Sequence, residues 1–430
     1  MKQTLQSEYI EPGQLRVGMF IELELGWMSH PFPRSSFKIA SNDQIEVIHG
    51  LGLKLIRYIP SRSDTAMSGP SSTDPKLPPE PVSLPLSDSV NRPAMLRSEL
   101  IASQQRRLQV CERRFGEANR LYLEVIERVS AQPQSALAQS HALINGLVDE
   151  MSNYGETAIR LLSSGQGDRS TTHPVNVTVI ALLLGRALNL PQEDLCDLGM
   201  AALLHDMGKV KTGVRLRWLE EDPGTPEHQV YQAHVKQSVA QGTSMALPDK
   251  ALRAMAEHHE MCDGTGFPAQ LRGDQISLLG KVLALVNRYD NLCNPDQPVS
   301  NLTPHDALAL IYTQFKSCFD ERVLNTFVRM MGIYPPGSMI QLTDERYAMV
   351  VSVNASRPLK PSVLVYEPAV PRHAALVLDL EQSEATGLSI RRSLKQGQMG
   401  REVMDYLLPR QRYCYFFEQA IDPAVMEARA

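Results

Sequence analysis

From residue 171 to residue 332 the chain offers helix after helix and almost no strand, which leaves a helical bundle as the fold open to its middle. Apolar residues recur there with a 3.6-residue period, separated by Pro, Gly and Asp breaks such as "LPQED", "EDPGTPE" and "DGTGFP". The most apolar window, "VNVTVIALLLGRALNL" from Val175 to Leu190, is 16 residues long and carries Asn176, Thr178 and Arg186. A membrane span needs about 20 apolar residues, so the window predicts a buried helix and no membrane span. Six of the eleven histidines, His173, His205, His228, His234, His258 and His259, fall within its first 89 residues, from 171 to 259. None is spaced i, i+4 from another, so convergence on one site requires several helices, as for ligands in bundle cores.

At 430 residues the chain exceeds one ordinary core. Residues 1–60 mix short β-prone runs ("MFIELEL", "SFKIAS", "LKLIRYI") with turn residues and predict a small β-rich N-terminal domain. Residues 61–93 are rich in Ser, Pro and Asp and read as a linker. Residues 94–165 read as a long helical connector, with a second helix from about Ser135 to Ser164. In it Leu108, Cys111, Phe115, Ala118, Tyr122, Val125 and Val129 fall on one stripe. That stripe either packs on its own domain or pairs with a second copy in a homodimer. Residues 166–333 read as the helical region that carries the histidines, and after "YPPGS" the pattern turns to alternation, predicting a β-rich C-terminal unit over 334–430. The fold class expected is mainly α, with small β-rich units at both ends.

Formal net charge is −5, and Lys and Arg are spread along the chain, so no basic block points to a nucleic-acid polymer. The six cysteines show no C-x-x-C spacing, and the N-terminus has no apolar signal-peptide core, which together predict a reducing, cytoplasmic setting.

Each histidine taken alone reads best as a structural residue; the chemistry comes from the set. Imidazoles offer neutral nitrogen ligands, and an aspartate bridges two ions with its two oxygens. Two ions about 3.5–4 Å apart lower the pKa of water from about 15.7 towards 7 and stabilise the leaving oxygen of a phosphodiester. Adjacent helical residues point about 100° apart, so the doublets His205-Asp206 and His258-His259 reach one cluster only from helix ends or through different ligand reach. Breaks follow each doublet, at Gly208 and at Asp263-Gly264. Outside the set, His228 reads as solvent-exposed and Cys262 as packing. Glu260 reads as orienting a ligand histidine, Asp263 as bracing the loop, and Asp290, three residues after Asn287, as a weaker substitute for it.

Three stretches, "HDMGK" at 205–209, "HHEMCDGTGFP" at 258–268 and "ISLLGKVLALVNRYDNL" at 276–292, resemble in order and spacing the HD-GYP domain of bacterial cyclic di-GMP phosphodiesterases. The resemblance covers about 171–340, and the first 60 residues look like the small domain of unknown function that often precedes it. It implies an all-helical HD-type domain with two divalent metal ions, Fe or Mn first, with Mg, Ni or Zn as alternatives. The ligands it implies are His173, His205, Asp206 as the bridge, His234, His258, His259 and, in the place of the family's last aspartate, Asn287. Catalytic roles fall to Asp206 and to Lys209, beside the scissile phosphate. Gly264, Gly266, Phe267 and Pro268 correspond to the GYP loop that faces the nucleotide. Arg169 stands where some members carry a third-metal glutamate, and no Lys or Arg occurs from Tyr289 to Phe315, where members grip phosphate. Lys209, Arg272 or Lys281 is then left to supply that contact. The implied activity is hydrolysis of cyclic di-GMP to linear pGpG and, in a second step, GMP. A weakened member that binds cyclic di-GMP or a diguanylate cyclase is the alternative, and an HD-type hydrolase of another nucleotide is a third reading.

Overall fold

The computed structural model describes residues 8–23, 36–51, 53, 55–63, 92–163, 168–212, 226–295, 302–381, 387–408 and 412–420. Most of the expected linker, from 64 to 91, lies outside them.

Four short strands, β1 (Glu8–Ile10), β2 (Phe20–Glu22), β3 (Ser36–Lys38) and β4 (Ile56–Tyr58), pair antiparallel in the order β1-β4-β2-β3. Helix α1 (Asn42–Gly50) lies between β3 and β4 in sequence, where only strands were expected. Ile45 and Ile48, three residues apart, share one face of it, and Ile48 joins Leu15, Ile21, Leu23, Ile39 and Ile56 in a small separate core.

Helices α2 (Arg92–Arg128) and α3 (Pro133–Asn153) follow. Along α2, Cys111, Phe115, Ala118, Tyr122 and Val125 are buried, as is Val129 just beyond it, while Leu108 is half-buried. They pack within the chain, where α2 meets α3, α4 and the last strand. Of the two readings of this stripe, packing on its own chain is the one these contacts realise.

The helix expected to reach Ser164 stops at Asn153, and Thr157–Leu161 is a strand, β5. Its last four residues are buried, and a short run buried on both faces carries no period from which to tell strand from helix. It lies between β7 (Tyr347–Asn354) and β11 (Tyr415–Gln419), with Leu161 opposite Tyr415. The sheet runs β10 (Ile390–Ser393), β6 (Met339–Leu342), β7, β5, β11, and β8 (Ser362–Val365) pairs with β7 and carries β9 (Val377–Asp379). Helix α11 (Arg401–Leu407) precedes β11.

The bundle comprises α4 (Arg169–Ala187), α5 (Gln192–Leu204), α6 (Pro226–Met245), α7 (Asp249–Glu257), α8 (Leu278–Cys293), α9 (Pro304–Gln314) and α10 (Glu321–Met331). Helix α4 is buried at every residue from Thr172 to Gly185, the polar His173, Asn176 and Thr178 included. It packs on α5, α8, α10 and β11. One hydrophobic core continues from α2 through the bundle into the sheet, so the bundle and the C-terminal strands share an interior. Among the described residues no helix is long and apolar enough to cross a membrane.

Candidate metal centre

Both doublets leave the ends of helices. Helix α5 ends at Leu204 with His205 as its C-cap, and α7 ends at Glu257 with His258 as its C-cap. The chain then turns tightly: a Cβ on Gly208 would stand 2.4 Å from the backbone oxygen of His234, so glycine alone lets this turn lie against α6. His173 enters from the first turns of α4 and His234 from the middle of α6.

The imidazoles share one orientation. His205 Nδ1 donates to Ala202 O at 2.7 Å, His258 Nδ1 donates to Met255 O at 2.6 Å, and His234 Nδ1 donates to Tyr231 O. Each acceptor lies three residues back, and those of His205 and His258 belong to the last turn of a helix, where carbonyls lack helical partners. His173 Nδ1 donates instead to Asp290 Oδ2 at 2.6 Å. A carbonyl or carboxylate only accepts, so all four protons sit on Nδ1 and all four Nε2 atoms present lone pairs. These lone pairs face one another: His173 Nε2 and His205 Nε2 are 3.3 Å apart, and His234 Nε2 and His258 Nε2 are 3.2 Å apart.

Asp206 stands between the two pairs. Its Oδ2 lies 3.5 Å from His205 Nε2 and 3.7 Å from His173 Nε2, while its Oδ1 lies 3.3 Å from His234 Nε2 and 3.7 Å from His258 Nε2. Oδ1 is buried and accepts no hydrogen bond, since the nearest imidazoles carry their protons on the far nitrogen. Such an atom is costly without a positive partner. Two overlapping sets result, His173, His205 and Asp206, and Asp206, His234, His258 and His259, each with its ligand atoms within 4.8 Å of one another. Atoms that share an ion at about 2.1 Å stand about 3–3.5 Å apart. The buried orphan oxygen and the opposed lone pairs therefore fit metal ions.

Electrostatics agrees with ligand chemistry, which needs neutral imidazoles and an ionised carboxylate. Burial holds His205 and His259 well below the usual histidine range and lowers His234 to about 4, with Lys209 adding to each. Burial opposes the charge on Asp206, but its neighbours, the Lys209 ammonium among them, overcome it and hold its carboxyl well below the usual range. Lys209 Nζ lies 2.7 Å from Asp206 Oδ2 and 5.1 Å from the Tyr231 ring centre.

His258 and His259 open onto a cavity of about 410 Å3. Gly266, Phe267, Pro268 and Asn287 line it, and Phe267 stacks on His259 with centroids 4.5 Å apart. Gly266 answers a contact within the protein: a Cβ there would stand 2.4 Å from His259 O and from Met261 N. Gly264 and Arg272 are not among the lining residues; Gly264, with φ +80°, lies under the Arg272 side chain, and Arg272 is exposed. Lys281 is held by Asp320 at 3.0 Å, away from the cleft lining.

Other residues depart from expectation. Glu260 accepts from Ala269 N and Leu271 N, at 2.6 and 2.8 Å, and so pins the loop rather than a histidine. His228 is half-buried and lines the cavity at 6.0 Å from the Phe267 ring. Asn287 Oδ1 accepts from Asn291 Nδ2 at 3.2 Å, and Asn291 Oδ1 in turn accepts from Arg169. Asp290 orients His173. The residue missed in the sequence is Arg288, which lines the cavity with its guanidinium 5.2 Å from the Phe315 ring centre; it sits beside Asn287 in a quoted motif, but the two halves of that contact are far apart in sequence.

A helical bundle that gathers a His-Asp doublet with further buried histidines defines an HD domain. Residues 142–323 match the HD domain family, and residues 8–139 match the domain of unknown function DUF3391. The DUF3391 match runs past the β-rich unit through all of α2, beyond the boundary expected at residue 60. A cyclic di-GMP phosphodiesterase of Pseudomonas aeruginosa is 26% identical over 82% of this chain and 83% of its own length. A 3'3'-cGAMP-specific phosphodiesterase of Vibrio cholerae is 30% identical over 42% of this chain and 39% of its own. A solved structure described as an HDG"Y"P protein from Bdellovibrio bacteriovorus is 14% identical, covers 75% of this chain and 98% of its own, and superposes with a TM-score of 0.41.

Proposed function

We propose that the chain hydrolyses cyclic di-GMP to linear pGpG, and pGpG on to GMP, using two divalent ions, Fe or Mn by preference, with Mg, Ni or Zn as alternatives. The carrying observation is the division of the Asp206 oxygens between two buried imidazole sets beside a cleft of about 410 Å3. The cyclic di-GMP phosphodiesterases among its relatives support the substrate. In this reading His173, His205 and Asp206 hold one ion, and Asp206, His234, His258 and His259 hold the other, with Asn287 adding a neutral amide oxygen. The ions would activate water and neutralise charge on the scissile phosphodiester.

The chain's own groups do the rest. Asp206 fixes the spacing of the two sets, and Lys209 at its edge stabilises the departing oxygen or protonates it. Phe267, stacked on His259, offers aromatic surface to a base, and its Phe-for-Tyr change retains that surface without the hydroxyl. Arg288 supplies the phosphate contact for which Arg272 and Lys281 are not placed. A cytoplasmic location rests on the cysteine pattern and the N-terminal composition, and diguanylate cyclase domains as partners rest on the family resemblance alone.

The test is turnover of cyclic di-GMP by the full chain loaded anaerobically with Fe(II) or Mn(II), against Asp206→Ala. Turnover no faster than in the variant removes the proposal. A panel with 3'3'-cGAMP and nucleoside monophosphates separates cyclic di-GMP from other nucleotides.

A further inference from the structure

Asp290 is fully buried, and among the described residues no Lys or Arg forms an ion pair with it and its ion-pair partner is His173. A buried carboxylate in that position must be held by hydrogen bonds. Its Oδ2 accepts from His173 Nδ1 at 2.6 Å. Its Oδ1 accepts from two amides, Asn294 Nδ2 at 2.9 Å and Asn176 Nδ2.

Both asparagines reach in two directions. Asn294 Nδ2 also donates to Tyr413 O at 2.9 Å, and Asn294 Oδ1 accepts from Tyr413 N at 2.8 Å. Asn176 Nδ2 donates to the same Tyr413 O at 3.1 Å, and Asn176 Oδ1 accepts from Tyr415 N at 2.8 Å. The backbone of the C-terminal chain is thus bonded, through two buried side chains, to the carboxylate that orients His173. All three side chains are at most 5% exposed.

We infer that the C-terminal segment from Tyr413 to Tyr415 is a working part of the metal centre: Asn176 and Asn294 are positioning residues that hold Asp290, and through it His173, for the ion shared by His173, His205 and Asp206. Asp290 fixes the ring and its tautomer and makes Nε2 a stronger donor, as carboxylates beside ligand histidines do. None of these bonds touches His234, His258 or His259, so the effect is confined to one of the two sets. The inference rests on the reading that both sets hold ions and is independent of the substrate.

The experiment titrates the full chain with Mn(II), comparing wild type with Asn176→Ala, Asn294→Ala and, as reference, His173→Ala. Each asparagine variant leaves the other tie in place. Bound ions are counted by elemental analysis, and paramagnetic resonance separates a spin-coupled Mn(II) pair from a lone ion. Wild type is expected to bind two ions. Each asparagine variant is expected to hold one ion as before and the second roughly 10–100-fold more weakly, with the coupled signal replaced by that of a lone ion, as in His173→Ala. Wild-type affinity for both ions, or equal weakening of both, overturns the inference and leaves the asparagines a purely structural role. A wild type that binds one ion overturns it together with the two-metal reading. A wild type that binds two ions but does not hydrolyse cyclic di-GMP removes the proposed activity and leaves this comparison decisive.

Discussion

His234 Nε2 and His258 Nε2 stand 3.2 Å apart, and neither has a proton to give the other, because each Nδ1 already donates to a backbone carbonyl. Two lone pairs at that distance repel, and the orphan Oδ1 of Asp206 beside them adds to the cost. A cation removes all of it. Chelation is therefore expected to lower the melting temperature and Mn(II) to restore it, each ion adding about 2.7 kcal/mol to the unfolding free energy at a hundredfold excess over Kd. Thermal scans with and without a chelator check this. His258→Phe, which removes a ligand, is expected to shrink the metal-dependent shift.

Part of this centre is legible in the sequence and part is not, for physical reasons. His205-Asp206 and His258-His259 can be placed at helix ends because a doublet inside a helix would point two ways, and breaks follow each one. The Asp290–His173 bond cannot be read off, since 117 residues separate the pair and helical spacing equally permits Asp290 as a ligand. Strand β5 stays hidden for a related reason: its buried run has no period, and its partners lie in another part of the chain. Arg272 and Lys281 look available to phosphate until the structure shows one lying over Gly264 and the other paired with Asp320.

Asn287 is the departure that bears most directly on rate. Its Oδ1 accepts from Asn291 Nδ2 at 3.2 Å, and a carboxylate in its place would still accept that bond. Asn287→Asp is thus expected to fold and to add a negative charge beside the imidazole sets. Metal affinity should rise by about tenfold, near 1.4 kcal/mol and in the range of one charge-assisted contact. Parallel measurement of Mn(II) Kd and of cyclic di-GMP turnover discriminates the readings. A rise in kcat of the same size marks the native chain as a weakened enzyme, and an unchanged kcat marks Asn287 as sufficient.

Arg288 carries the prediction about substrate. Its guanidinium is steadied over Phe315 at 5.2 Å and lines the cleft with His258 and His259. A charged hydrogen bond to phosphate contributes about 1.5–3 kcal/mol, so Arg288→Ala is expected to raise KM for cyclic di-GMP by roughly 10–100-fold with kcat little changed. Steady-state kinetics on the metal-loaded protein measures the split. Arg288→Lys should recover part of the loss, since it restores the charge without the fork.

His305 sets a pH limit on the fold away from the metal centre. Its Nδ1 donates to Ile333 O at 2.9 Å, its ring stacks on Tyr334 at 5.4 Å, and its buried Nε2 lacks a hydrogen-bond partner. Burial holds it below the usual histidine range, against the pull of the Ile333 carbonyl and of Asp306, whose carboxylate also receives the Thr303 hydroxyl. The unfolded chain, with a histidine pKa of about 6.5, then takes up a proton before the folded chain does. The stability that neutral His305 contributes is full above about pH 6.5 and is lost as pH falls from there towards the lower folded value, by at most about 1.4 kcal/mol per pH unit. Urea unfolding of chelated protein at pH 7.5 and 5.5 reads this slope. His305→Phe keeps a ring against Tyr334 and removes the titrating group, so its loss of stability between the two pH values is expected to be smaller than that of the native chain.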